Sequence, residues 1–465
     1  MTPPEHDAWT DEESEEMPSP SNPLAVARRL VQDWQGPDGL LRLRRWRGSW
    51  MRWTGTCWEE LDEAQLRAGM YERLEHVTYQ EETVKGPQTR DWAPTKTKIS
   101  NVLDALAAIT FLPTTTDAPS WLHQGAVDQG PIVACQNGVL RVSDRALLPH
   151  SPDLFNIVSV PYNYQPAATA PAWEEFLAGL WPDDPQAVQA LQEWFGYVLS
   201  GRTDQQKILL VHGPSRSGKG TIARVLKKLI GPQNLAGPTL GGLGTTFGLA
   251  SLIGKPLAII SDARLAGSGE GPVVERLLTI SGEDTIDIDR KFRDAWTGKL
   301  PTRLMILTNE LPSFGDSSGV IARRFIVLGL AVSWLGCEDT GLDDRLAAEM
   351  PGILNWALDG LTRLQAHGRI TIPDSARDAV TTMQDTASPT GAFVREKCAT
   401  GPTSSVPVDV LWTAWRNWAE DSGVKPGTKQ LFGRNLISIV PQIKLTRPRA
   451  ETGGQVRTYT GVGLK

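Results

Sequence analysis

The sequence predicts an α/β fold for the central part of the chain. Short apolar strands alternate there with helices and loops, and the strand segments read KILLVHG, LAIISDA, RLMILTN and RFIVLGL. A glycine-rich loop follows the first strand, and a polar residue ends the second and the third. Such alternation is typical of a parallel sheet covered by helices on both faces. The flanking patterns predict an α+β N-terminal domain and a C-terminal winged helix.

Composition excludes several classes of protein. Among the 465 residues, no apolar run approaches the ~18 residues of a membrane span, and no basic-then-apolar signal region begins the chain. The four cysteines and six histidines are scattered, which argues against a disulfide framework and against a metal site built from these side chains. We therefore expect a cytoplasmic protein with no membrane partner.

Charge is distributed unevenly along the chain. Residues 1–27 hold seven carboxylates and no lysine or arginine, and removing these seven from the net charge of −6 leaves +1. Residues 423–465 hold eight basic residues and one acidic residue, a local charge of +7 that suits nucleic-acid phosphates. Residues 1–24 are rich in acids, Pro and Ser, so we expect a disordered acidic tail there.

The N-terminal domain is expected over residues 25–165, and its last residues belong to a Pro- and Ala-rich connector, PYNYQPAATAPAW. Gly-Ser and Gly-Thr breaks in the stretch LLRLRRWRGSWMRWTGTCWEEL predict a small β-meander. Asn137-Gly138 predicts a hairpin turn within ACQNGVLRV. The arginines and tryptophans form either a nucleic-acid platform or a buried tryptophan core with arginines on the opposite face. We favour the second interpretation.

The glycine-rich loop has the composition of a phosphate-binding loop. GPSRSGKGT fits GxxxxGK[ST] with one glycine inserted before the threonine, and it lies between an apolar strand and an amphipathic helix. We expect Lys219 to reach the β- and γ-phosphates of ATP, and Thr221 to bind Mg²⁺ because Gly220 has no side chain. The expected ATP-binding residues are Gly213, Pro214, Ser215, Arg216, Ser217, Gly218, Lys219, Gly220 and Thr221.

Three further polar residues occur at strand ends, in an order that favours an ATP hydrolase. Asp262 ends the second strand, where it would hold Mg²⁺ or orient the attacking water, although Asp is also a common turn former. Asn309 ends the third strand, and Arg324 begins the fourth. An arginine at that position can reach a neighbouring subunit's γ-phosphate, and a surface pair with Arg323 is the alternative.

In this order the motifs resemble those of superfamily 3 helicases. GPSRSGKGT, IISDA, SGEDTIDIDRKFRDAWTGKLPTR, LMILTNELP and ARRFIVL are similar to motifs of phage and plasmid primase-helicases of the poxvirus and phage type. ACQNGVL and the connector resemble the region that precedes the ATPase in that family. The resemblance implies an AAA+-like P-loop ATPase core over residues 166–375. It also implies a hexameric ring that translocates on single-stranded DNA, usually 3′→5′.

The resemblance assigns roles within the core. Lys219 and Thr221 match Walker A, Asp262 matches Walker B, Asn309 matches sensor 1 and Arg324 matches the arginine finger. Only one acid ends the Walker B strand, so the water-activating carboxylate is either Asp262 or another residue, for example Glu270.

The resemblance and the charge pattern also indicate DNA contacts. Segment 286–297 resembles the hairpin that such helicases project into the ring channel, although a solvated turn is the alternative. Residues 376–465 suggest a winged helix, with 428–439 as the recognition helix and a basic hairpin as the wing; a basic surface without a ligand is the alternative. The expected DNA-binding residues are Arg290, Lys291, Phe292, Lys429, Arg434, Arg447, Arg449 and Arg457.

The sequence therefore predicts an ATP-dependent DNA helicase for phage or plasmid DNA replication, with ATP and Mg²⁺ as cofactors. Its expected partners are single-stranded and forked DNA and further copies of itself. No convincing set of catalytic acids or zinc-binding cysteines precedes the core, so we expect no primase domain here and a separate primase or polymerase as a partner. A non-unwinding origin-binding or loader ATPase is the first alternative, and a nucleotide kinase is a remote one.

Overall fold

The computed structural model describes residues 15–123, 130–261, 270–291, 293–312, 314, 320–448 and 455–465. The chain divides into two compact units, Met1–Val160 and Pro161–Lys465. Among the described residues, no helix is both long enough and apolar enough to cross a membrane. The domain boundaries that we place from the sequence stay predictions.

The N-terminal unit combines helices with small, mostly antiparallel sheets. The longer helices in its described part are α1 (Pro23–Leu30), α2 (Glu63–Glu75) and α3 (Lys96–Ile109). The strands are β1 (Leu43–Trp46), β2 (Ser49–Trp53), β3 (Trp58–Leu61), β4 (Thr78–Thr83), β5 (Gly86–Asp91), β6 (Phe111–Leu112), β7 (Ser120–Trp121), β8 (Ile132–Cys135), β9 (Gly138–Arg141), β10 (Leu147–Leu148) and β11 (Leu154–Phe155). The predicted meander is β1 to β3, and the predicted hairpin is β8–β9. The β4–β5 hairpin was not predicted, because its polar strands carry few apolar residues.

The tryptophans of the Arg- and Trp-rich stretch are core residues on both faces of the meander. Trp50 is 2% exposed and belongs to the core that helices α1 to α3 share, whereas Trp58 is fully buried on the other face beside Phe155. The predicted tryptophan core is confirmed. The opposite face is not reserved for arginines, however, because Arg45 lies 4.9 Å from the ring centre of Trp50. Both faces of the sheet are covered, so a guanidinium group stacks on a tryptophan there.

The prediction of disorder over residues 1–24 is wrong for residues 15–24, which pack on the N-terminal unit. Met17 is 2% exposed, and its N–H donates to a carbonyl of β4 at 2.8 Å. Glu15 forms an ion pair with Arg73 at 2.6 Å. The composition places the end of the disordered tail too late, because one buried methionine hardly changes the average over many acidic and proline residues. The rest of the predicted tail lies outside the described residues.

We expect the substitution Met17→Ala to lower the free energy of unfolding of the N-terminal unit by about 2 kcal/mol, because it removes a buried side chain from a packed core. Leu24→Ala is the matched control, since Leu24 is 41% exposed and its truncation should cost under ~0.5 kcal/mol. Urea unfolding followed by tryptophan fluorescence measures both. Equal midpoints for Met17→Ala and the parent chain would show that this segment adds nothing to the core.

The second unit is built around a parallel sheet. The helices of its first part are α4 (Pro171–Leu180), α5 (Pro185–Leu199), α6 (Lys219–Ile230), α7 (Leu240–Leu243), α8 (Glu270–Gly282), α9 (Leu342–Ala348) and α10 (Met350–His367). The strands are β12 (Ile208–His212), β13 (Leu235–Ala236), β14 (Leu257–Ile260), β15 (Ile286–Arg290), β16 (Arg293–Gly298), β17 (Arg303–Thr308) and β18 (Phe325–Gly329). The four predicted core strands and the short β13 lie in the order β13-β14-β17-β12-β18. Because β12 comes first in the chain but lies between β17 and β18, its carboxyl end is at a topological switch point, where such sheets bind ligands.

Helices α5 and α10 form a close pair that supports α4. A Cβ atom on Gly196 would lie 2.4 Å from the Ala357 carbonyl oxygen, and one on Gly360 would lie 2.3 Å from the Gln192 carbonyl oxygen. Only glycine allows the helices to approach so closely. Two N–H groups in the first turn of α4 donate to the Glu349 carboxylate, at 3.0 and 3.1 Å, and so fix α4 to the start of α10.

The last part of the chain has a core of its own, which most of its elements share. Its elements are α11 (Asp374–Ala387), α12 (Pro389–Lys397), β19 (Cys398–Pro407), α13 (Val408–Asp421), α14 (Lys429–Ile439), β20 (Lys444–Thr446) and β21 (Thr458–Leu464). The predicted third helix is α14, and the predicted hairpin is the β20–β21 pair. Strand β19 pairs with β21 and was not predicted, because Gly, Pro, Ser and Thr dominate it. Stacked aromatic rings, among them Trp415 and Phe432, fill the core between sheet and helices.

Helix α11 does not contribute to this C-terminal core. Its buried Ala376 and Met383 belong to the hydrophobic core of the parallel sheet. The boundary that we place at 375/376 assigns this helix to the C-terminal domain, whereas its side chains are buried against the preceding one.

Candidate functional site

The glycine-rich loop connects the end of β12 to the start of α6, at the carboxyl edge of the sheet. Two glycines give it its shape. A Cβ atom on Gly213 would lie 2.4 Å from the Leu330 carbonyl oxygen, so the loop begins pressed against the chain that follows β18. Gly218 has φ +98° and forms the N-cap of α6. The loop therefore directs the amino end of α6, with the N–H groups of its first turn, toward the site.

Lys219 is held against the loop itself. Its Nζ donates to the carbonyl oxygens of Gly213 and Pro214, both at 2.6 Å, and to the Ser217 hydroxyl at 3.3 Å. Burial, and secondly the charge of Lys219, lower the pKa of His212 below its usual value of 6.5. The imidazole at the base of the loop is therefore neutral at pH 7, and Lys219 supplies the positive charge there.

The loop lines a cavity of about 890 Å³. Thr221, Asn309 and Ser261 also line this cavity, so the ends of β14 and β17 meet the loop, as the sequence predicts. The Thr221 hydroxyl accepts a hydrogen bond from Arg224 at 3.0 Å. Asp262 lies outside the described residues, and so does the side chain of Glu270. The volume is within the range of small-molecule sites.

A segment after β18 closes another side of the cavity. We call residues 331–343 the strap. The Ser333 hydroxyl donates to the Ser215 carbonyl at 2.8 Å, and the Trp334 N–H donates to the Arg216 carbonyl at 2.9 Å. Ion pairs tie the strap further, because Glu338 lies 3.6 Å from the Arg216 guanidinium and Asp343 lies 2.9 Å from that of Arg224. The strap and the loop are thus fixed to one another.

Two parts of this cavity were missed by sequence reasoning. Helix α4 contributes an apolar wall, in which Phe176 and Leu180 lie directly against Gly218. The strap contributes Trp334. The sequence shows the amphipathic pattern of α4, but it does not show which surface this helix covers. No local sequence pattern marks Trp334 as a cavity residue.

Arg324 does not reach this cavity. It precedes β18, which runs parallel to β12, so it lies at the amino edge of the sheet, about one strand length or ~16 Å from the loop. Its guanidinium donates to the Gln206 side-chain carbonyl at 2.7 Å. Burial, and secondly the charge of Arg324, lower the pKa of the nearby Lys207. The amino edge of the sheet therefore carries its own positive charge.

Segment 286–297 lies within an antiparallel hairpin, β15–β16, with Lys291 at the turn. The Lys291 ammonium lies 5.6 Å from the ring centre of Phe247, an exposed residue between α7 and β14. Arg290 is half-buried at the end of β15. Phe292 lies outside the described residues.

The predicted basic residues of the C-terminal part fall into three groups. Arg434, Arg447 and Arg457 are exposed on α14 and beside the β20–β21 pair. Lys429 forms an ion pair with Asp409 of α13, which offsets its charge. Arg449 lies outside the described residues.

Comparison with known protein families tests the resemblance. A family described as "D5 N terminal like" matches residues 27–182, and one described as "Poxvirus D5 protein-like" matches residues 386–459. Both matches support the phage and poxvirus type of primase-helicase family for this chain. Between these regions, a family of unknown function matches residues 211–324, which include the glycine-rich loop.

Solved structures share its fold. The chain is similar to "The apo structure of NrS-1 C terminal region", with 12% identity, a TM-score of 0.53, and coverage of 95% of this chain and 99% of that one. It is also similar to "The A form apo structure of NrS-1 C terminal region-CTR", with 12% identity, a TM-score of 0.50, and coverage of 94% and 99%. At this identity the likeness concerns the fold.

Proposed function

We propose that the chain is an ATP-dependent DNA helicase of phage or plasmid replication, with an AAA+-like P-loop core. One observation carries the proposal: Lys219, Thr221 and Asn309 line one cavity at the switch point of a parallel sheet, where the amino end of α6 also points. A helix N-terminus, a lysine and a hydroxyl suit the phosphates of ATP and their Mg²⁺. Membership of a primase-helicase family supports this choice over a nucleotide kinase.

We further propose that Thr221 and Asp262 hold Mg²⁺. The Thr221 hydroxyl lies in the cavity two residues beyond Lys219, which fits a hard cation bound between the protein and the phosphates. Mg²⁺ would neutralise charge on the β- and γ-phosphates. Asn309, at the end of the adjacent β17, would orient the attacking water.

The position of Arg324 supports assembly into a ring, which we propose is hexameric. An arginine that lies one strand length from the cavity of its own subunit can complete only the cavity of a neighbouring subunit. A head-to-tail interface of this kind closes into a ring when its rotation allows. The cations at the amino edge of one subunit would then face the phosphates bound at the carboxyl edge of the next.

DNA would be contacted at two places. Lys291 at the turn of the β15–β16 hairpin would contact the DNA strand in the ring channel, through an ion pair between its ammonium group and a phosphate. The C-terminal part, which we propose is a winged helix, would place α14 and the exposed arginines beside it against duplex DNA.

ATP hydrolysis with and without single-stranded DNA, together with strand separation on a forked duplex, tests the proposal. We expect DNA to stimulate hydrolysis and the duplex to be unwound. Hydrolysis without unwinding would favour an origin-binding or loader ATPase. No hydrolysis and no ATP binding would refute the P-loop assignment.

We expect Lys291→Ala to reduce unwinding and DNA-stimulated hydrolysis by about tenfold, because one phosphate contact is lost from each subunit, while hydrolysis without DNA is unchanged. Lys299→Ala is the matched control, since Lys299 is an exposed lysine just beyond β16. The same two assays measure both variants. Unwinding by Lys291→Ala at the parent rate would show that the hairpin turn does not engage the strand.

A further inference from the structure

We propose that Trp334 is the stacking platform for the base of a purine nucleoside triphosphate, and that the apolar wall of α4 completes the base site. The inference rests on the proposed ATP binding and specifies the part of the cavity that binds the base. Trp334 lies outside the motifs of the sequence and outside the residues that the three families match.

The position of Trp334 carries the first step. Its side chain lines the cavity and is 44% exposed, which leaves a large aromatic surface available to a ligand. A tryptophan without a ligand would gain more by burial in the core, since apolar area in water costs free energy. The strap instead presents the indole ring at the cavity.

The strap holds the backbone of Trp334 in place. The Trp334 backbone is bonded to the loop through the Arg216 carbonyl at 2.9 Å, and its own carbonyl accepts from the Cys337 N–H at 2.9 Å. The ion pairs of Glu338 and Asp343 anchor the rest of the strap to the loop and to α6. A fixed backbone reduces the conformational entropy that is lost when the side chain stacks on a ligand, so more of the stacking energy is retained.

Different residues of the cavity suit different parts of a nucleotide, and the lining also includes the acidic residues Glu175, Glu338 and Asp339. Lys219, Thr221 and the amino end of α6 form a cationic and polar end, which fits the triphosphate. Phe176 and Leu180 of α4 form an apolar surface beside Gly218. A nucleotide combines an anionic phosphate chain with a flat base whose faces are apolar. Trp334 and the α4 wall are the surfaces of the cavity that suit the base.

The test compares ATP with a ligand that has phosphates and no base. Equilibrium binding of ATP and of tripolyphosphate, each with Mg²⁺, is measured by calorimetry on the full chain and on Trp334→Ala. We expect the affinity for ATP to fall by about tenfold, the size of one base-stacking contact, and the affinity for tripolyphosphate to stay within about twofold. Trp334→Phe, which keeps an aromatic face, should restore ATP binding to within about threefold of the parent.

Leu335→Ala is the matched control, because Leu335 is the adjacent residue of the strap and is 71% exposed. We expect it to bind both ligands as the parent does. An equal loss of ATP and tripolyphosphate affinity in Trp334→Ala would overturn the inference, because it would show that the residue only shapes the loop. Unchanged ATP binding in that variant would overturn it as well. If the parent chain binds tripolyphosphate and ATP equally weakly, the proposed ATP site fails instead.

Discussion

Replacing Arg324 with alanine is expected to lower the rate of ATP hydrolysis by about 10³-fold while leaving ATP binding unchanged. The guanidinium would stabilise charge that develops on the γ-phosphate in the transition state, and an interaction made only there affects kcat and not affinity. Because Arg324 lies at the amino edge of the sheet, its own cavity retains every contact with ATP. Steady-state hydrolysis and calorimetric binding of a non-hydrolysable analogue separate the two effects.

Arg323→Ala is the matched control for this prediction. The side chain of Arg323 is exposed, and the contact that its residue makes with Lys207 uses the backbone carbonyl, so its truncation should leave hydrolysis unchanged. Equal losses in the two variants would indicate a general effect of charge at this edge, and the finger assignment would fail.

A mixing experiment tests whether Arg324 acts on a neighbouring subunit. Arg324→Ala and Lys219→Ala subunits should each be inactive alone and should recover activity when mixed. About a quarter of the interfaces in random rings then join an intact cavity to an intact finger. If rings shown to contain both variants recovered no ATP hydrolysis, Arg324 would act within its own subunit. That result would contradict the proposed ring arrangement.

Lys219→Ala is expected to lower the rate of ATP hydrolysis by ~10²-fold or more and the affinity for ATP by about tenfold. The ammonium group lies among loop carbonyls at the mouth of the cavity, where it is positioned for the β- and γ-phosphates. DNA binding should persist, since neither proposed DNA contact involves this residue. Hydrolysis, analogue binding and DNA binding are measured on the same preparation.

Lys227→Ala serves as the control on the same helix, because Lys227 is exposed in the last turn of α6, far from the loop. It should hydrolyse ATP at the parent rate. If Lys219→Ala did so too, the glycine-rich loop would not be the site of hydrolysis. A matching thermal unfolding midpoint for all three chains would exclude loss of fold as the cause.

Much of the core could be predicted from local sequence. The four main strands are continuous apolar runs, and each is buried in the sheet, as strands covered on both faces must be. The glycine-rich loop was located by residue type, since Gly218 adopts a φ of +98°, which few other residues tolerate. Where residue type carried less information, prediction failed, as for β19 and the β4–β5 hairpin.

The cavity could be predicted only in part. The loop and Asn309 each follow a strand, and the carboxyl ends of parallel strands meet at one edge, so their proximity followed from the fold class. The strap contacts the loop although the bonded residues are 118 positions apart in the sequence, as the hydrogen bond from Ser333 to Ser215 shows. No pattern that extends over a few residues can report a contact of that separation.

The sequence by itself determined the composition of the loop, the positions of the core strands along the chain and the uneven distribution of charge, because residue type and periodicity act over a few residues. Only the tertiary structure decided which of these groups share a site. It brought Trp334 to the cavity, placed Arg324 at the opposite edge, and buried Met17 where composition indicated disorder. The reason is geometric: strand direction separates residues that are near in sequence, and packing joins residues that are far apart.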